Sequence, residues 1–66
     1  MNPAIATILM TAIEEFKNVK RNKSGSVNET SRFAIHKRAT RAIVALGETY
    51  DDAFDMVAEL SKKYAV

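Results

Sequence analysis

Phe33-Ala34-Ile35-His36-Lys37-Arg38-Ala39-Thr40-Arg41-Ala42-Ile43-Val44-Ala45-Leu46 carries apolar residues at Ile35, Ala39, Ala42 and Leu46, in steps of four, three and four. That rhythm returns each side chain to one stripe of an α-helix, whereas a half-buried strand alternates every second residue. On a helical wheel the apolar and uncharged positions sweep from Ala42 through Ile35, Ala39, Ile43, His36 and Thr40 to Phe33 and Val44. The arc is about 200° wide, against the roughly 100° that one neighbouring face requires. Its width predicts a central helix packed on two sides. Lys37, Arg38 and Arg41 hold the remaining face.

On the C-terminal side, Gly47 is placed to end this helix in the left-handed conformation. Thr49 is a suitable cap for a following helix, with Asp51 and Asp52 in its first turn and Lys62 and Lys63 in its last. Both charge placements suit the helix dipole. Tyr50, Ala53, Val57, Leu60 and Tyr64 form its stripe. On the N-terminal side, Ser26 and Glu29 have the spacing of a capping box. Residues 21–26 contain Lys23-Ser24-Gly25-Ser26, with no apolar anchor, and read as a flexible basic connector. Before it, Ile5, Leu9, Ala12, Phe16 and Val19 mark another stripe, opened by Asn2 as cap and Pro3 at the first helical position.

The expected fold is therefore all-α: three antiparallel helices over about 3–20, 27–46 and 50–64, in one domain spanning residues 1–66. Short connections favour antiparallel neighbours. A chain of 66 residues without cysteine has no disulfide staple for a marginal core. Packing as a helical-bundle dimer would supply the missing burial. Phe33, Val44, Thr40 and Met10 are the candidate self-association residues: the first three lie on the far flank of the arc, and Met10 lies outside the helix 1 stripe.

The formal net charge of +2 conceals segregation. Lys17 to Arg41 holds eight Lys/Arg against Glu29, whereas Glu48 to Lys63 holds five acids against two lysines. Lys37, Arg38 and Arg41, with Arg32 at their edge and Lys20, Arg21 and Lys23 on the connector, form the candidate partner-binding surface. Such a surface attracts an acidic protein face or nucleic-acid phosphates. No aromatic residue interleaves the basic connector, which disfavours base stacking.

Other chemistries find little support. A helix-turn-helix would present Asp51, Asp52 and Asp55 to phosphates. Those acids also match a DDxxD pattern, but a metal-diphosphate enzyme of that kind needs a large apolar cavity beyond the reach of 66 residues. His36 is the sole histidine and has no evident second metal ligand or catalytic partner. The expectation is no catalytic residue, metal or cofactor. Ala4 to Ile13 is too short to span a bilayer and is followed by Glu14 and Glu15, so the chain reads as cytoplasmic with no membrane partner. The expected function is a small, self-associating, non-enzymatic protein-binding module: an adaptor, inhibitor or assembly factor. It would dock through a basic helix face and spare apolar surface. The alternative is a helical dimer that binds DNA or RNA backbones without reading sequence.

Overall fold

The computed structural model describes residues 2–66, which form three α-helices and no strand: α1 (Pro3–Lys17), α2 (Glu29–Val44) and α3 (Tyr50–Tyr64). α1 starts as its sequence dictates. Pro3 occupies the first turn, and the Asn2 side chain accepts a hydrogen bond from the Ala4 N–H at 2.8 Å. It stops at Lys17 rather than Lys20. The Asn18 amide donates to the Glu14 carbonyl at 2.9 Å, a side-chain bond that competes with further helical winding. Val19 is nevertheless buried beyond the helix end.

The connector is a hydrogen-bonded turn. Arg21 and Val27 form an antiparallel bridge. Within it, Asn22 N–H donates to Ser26 O and Gly25 N–H donates to Asn22 O, each at 2.9 Å. Asn28 N–H closes the turn on Lys20 O at 2.8 Å. Gly25 sits at φ +87°, where a side chain would be strained. Val27 packs against the core and supplies the apolar anchor missing from residues 21–26.

α2 begins two residues later than the expected capping box would place it. Asn28, not Ser26, is the cap: its side chain accepts from Ser31 N–H at 2.9 Å. The Glu29 carboxylate is held by Arg32, and the Ser26 hydroxyl is bonded to Ser24. The other end closes at Val44, where Gly47 at φ +102° lets its N–H reach the Val44 carbonyl at 2.9 Å. α3 follows at once, capped as expected by Thr49, whose hydroxyl accepts from Asp52 N–H at 3.2 Å.

Each helix packs against both others. Phe16, Ile43 and Val57, one from each helix, are fully buried at the common centre. Around them lie Ile5, Ala12, Ile35, Ala39 and Ala53. This arrangement corrects the expectation of a central α2. Both neighbours approach α2 from one side, so Ile35, Ala39, Thr40 and Ile43 are buried, whereas Ala42 is half-buried and Leu46 exposed. The second flank is uncovered in the single chain, with Phe33 61% and Val44 36% exposed.

Candidate functional site

The open flank of α2 meets α3 along a cleft of about 390 Å³. Phe33 and His36 on α2 and Phe54 and Ala58 on α3 form its apolar walls. Helical geometry explains the grouping. Phe33 and His36 are three apart, and Phe54 and Ala58 are four apart, so each pair shares one face of its helix. The His36 and Phe54 rings contact at 4.4 Å between centroids, and Tyr50 extends the aromatic row with its ring 5.9 Å from Phe54. Phe33 and Tyr50 are each 61% exposed and Phe54 42%.

Polar groups close one end. The Arg32 guanidinium donates to Ser61 Oγ at 3.0 Å, which ties α2 to α3, and pairs with the Glu29 carboxylate through Nε at 2.9 Å. Lys62 lines the same end. His36 Nδ1 lies 3.4 Å from the Thr40 hydroxyl. Burial disfavours the charged imidazole, and the Arg32 cation adds to that effect, so the His36 pKa falls below its ordinary value despite an opposing backbone hydrogen bond. A neutral imidazole packed at a tilt against Phe54 behaves as part of the aromatic wall.

The seven cationic candidates do not form one surface. Lys37 and Arg41 are exposed on α2, and Lys20 and Lys23 on the connector side; among the described residues none of these four side chains makes an ion pair or hydrogen bond. Arg38 crosses to Glu15 on α1 at 2.8 Å, while its side chain remains 65% exposed. Arg32 is committed to Glu29 and Ser61 inside the cleft. Arg21 is exposed and donates to the Gly25 and Val66 carbonyls, which braces the connector. The self-association candidates divide similarly. Phe33 lines the cleft, and Val44 is half-exposed one turn beyond Thr40. Thr40 itself is only 2% exposed, so it packs within the fold and offers nothing to a second molecule. Met10 is 68% exposed on α1 and lines no part of the cleft.

Phe54, Tyr50, Ser61 and Lys62 belong to the site but not to the sequence-derived set. Phe54 follows Ala53 on the edge of the α3 stripe, and a hydrophobic residue beside Asp51, Asp52 and Asp55 was the available signal. No helix among the described residues is long and apolar enough to cross a membrane. Comparison with family models, curated proteins and solved structures finds no match for this chain.

Proposed function

We propose that this chain is a small, non-enzymatic protein-binding module that docks through the aromatic cleft between α2 and α3 and its charged rims. The observation that carries this reading is the exposure of Phe33 and Phe54 across one cleft, in a chain that fully buries Phe16, Ile43 and Val57. Clustered exposed aromatic rings on a small protein mark surfaces that another molecule covers. The helices run antiparallel in this reading. Its support is the numerical order of the facing residues: Arg32 meets Ser61, whereas His36, further along α2, meets Phe54, further back on α3. His36 serves as a wall residue, since the ring on one side and Thr40 at Nδ1 leave it packed rather than poised for proton transfer.

Affinity capture from lysate tests the reading, run in nuclease-treated and untreated halves, with wild type beside a Phe33→Ser/Phe54→Ser variant. Circular dichroism verifies that the variant keeps its helices, as expected for two rings that lie outside the buried core. The expected result is a nuclease-resistant protein association, with another protein or with untagged copies of this chain, that the variant loses. Associations that vanish with nuclease, or persist unchanged in the variant, overturn it.

Nucleic-acid backbone binding is the second reading. The exposed, unpaired Lys37 and Arg41 on one flank of α2 favour it. In that case affinity for mixed DNA or RNA falls steeply between about 50 and 200 mM salt and is insensitive to sequence. The acids of α3 beside the same cleft oppose it.

A further inference from the structure

We propose that the occupant of the α2–α3 cleft is a second copy of this chain, related by a two-fold axis that runs along the cleft. This rests on the reading of the cleft as a protein-docking surface and names its partner.

The argument starts from levels along the groove. Arg32 beside Ser61 and His36 beside Phe54 set which residues of the two helices stand opposite one another. Outside the apolar wall, helical periodicity supplies the rims. On α2, Lys37 is one turn on from Phe33, and Arg41 one turn beyond that. On α3, Asp55 is one turn back from Ala58, Asp51 one turn before it, and Lys62 one turn after Ala58. Three levels result: Glu29 opposite Lys62, Lys37 opposite Asp55, and Arg41 opposite Asp51. At every level the two rims carry opposite sign.

None of these pairs is bridged within the chain. The ion pairs among the described residues join Lys17 to Glu14, Arg32 to Glu29 and Arg38 to Glu15. Lys37, Arg41, Asp51 and Asp55 are exposed in the single molecule.

A two-fold axis along the cleft exchanges the rims and preserves the level. Lys37 then faces Asp55 of the second copy, Arg41 faces Asp51, and Glu29 faces Lys62, each contact occurring twice. A two-fold axis across the cleft at the middle level instead sets each rim on itself with the levels reversed, so that Lys37 faces Lys37 and Asp55 faces Asp55 of the second copy. Charge complementarity therefore selects the first arrangement. Between the rims, Phe33, Tyr50 and Phe54 of both copies leave water together, which gives the aromatic centre and polar rim of a stable interface. The contact is isologous and closes at two copies, with no tendency toward fibres.

Sedimentation equilibrium on the full chain tests this with two charge-reversed variants, Lys37→Glu/Arg41→Glu and Asp51→Lys/Asp55→Lys. Helicity is verified for each, and Lys37→Glu with Asp55→Lys is the substitute pair if Asp51→Lys frays the start of α3. Wild type is expected to dimerise at micromolar concentration. Each variant alone weakens dimerisation about tenfold or more, and an equimolar mixture restores a heterodimer near wild-type affinity, because both symmetric contacts regain opposite signs. A wild type that stays monomeric up to about 1 mM overturns the proposal; if Phe33→Ser/Phe54→Ser still abolishes capture of another protein, the docking reading survives and the occupant is that protein. A dimer indifferent to both variants, or variants that fail to complement, places the interface elsewhere and overturns the two-fold arrangement.

Discussion

His36 shows how one side chain joins the core to the open face. Its ring packs at a tilt against Phe54, its Nδ1 approaches Thr40, and Arg32 stands one turn earlier on the same helix. Burial first, and then the Arg32 charge, lower its pKa below the ordinary value near 6.5. The unfolded chain therefore binds a proton here at a pH where the folded chain does not, and stability rises with pH across that interval. The contribution is fully present above about pH 6.5, declines as the pH falls through that value toward the lower folded-state pKa, and then levels off. Thermal melts between pH 7 and 5 are expected to show a falling midpoint in wild type and a flatter profile in His36→Gln. Equal slopes in the two proteins would show that carboxylates elsewhere set the dependence.

At the scale of elements, most of the fold is legible in the sequence. The apolar steps of Ile5, Ala12, Phe16 and Val19, of Ile35 and Ala39, and of Ala53 and Val57 all fall in the observed core. Hydrophobic periodicity succeeds here because core burial enforces it. Boundaries were less legible, since several polar residues near a helix start can each cap it. Ser26 and Asn28 both fit the start of α2, and the choice of Asn28 depends on the bridged turn that delivers its backbone N–H to Lys20. Asn28→Ala is expected to cost about 1 kcal/mol, the usual worth of an N-cap. Ser26→Ala, which removes only exposed side-chain bonds to Ser24 and Asn22, should cost markedly less. Chemical denaturation of the two variants provides the measurement, and a larger loss for Ser26→Ala would restore the capping box.

For the molecule as a whole, the cleft was only partly visible in the sequence. The sequence places Phe33 on the flank of the α2 arc and among the self-association residues, but its partnership with Phe54 depends on the rotation of α3 about its own axis. Phe54 stands about 100° round the helix from the buried Ala53, so the stripe places it off the core without saying which neighbour it faces. The segregated charges were plain, yet the commitment of Arg32, Arg38 and Arg21 to intramolecular partners arises only when distant parts of the chain meet. If two copies close over the cleft, folding and association are linked by mass action. The melting midpoint should then climb with protein concentration, and the climb should disappear in Phe33→Ser/Phe54→Ser. A midpoint unmoved over a hundredfold dilution would mark an independently folding monomer.

The contact between imidazole and phenyl rings also offers an optical handle. The chain contains no tryptophan, so Phe54→Trp would place a single indole against His36. A protonated imidazole quenches indole emission, whereas a neutral one does so weakly. Intensity would then follow the ionisation of His36, and a blue-shifted spectrum would signal closure of the groove by an incoming molecule. One fluorophore would report both events in separate channels, colour and brightness.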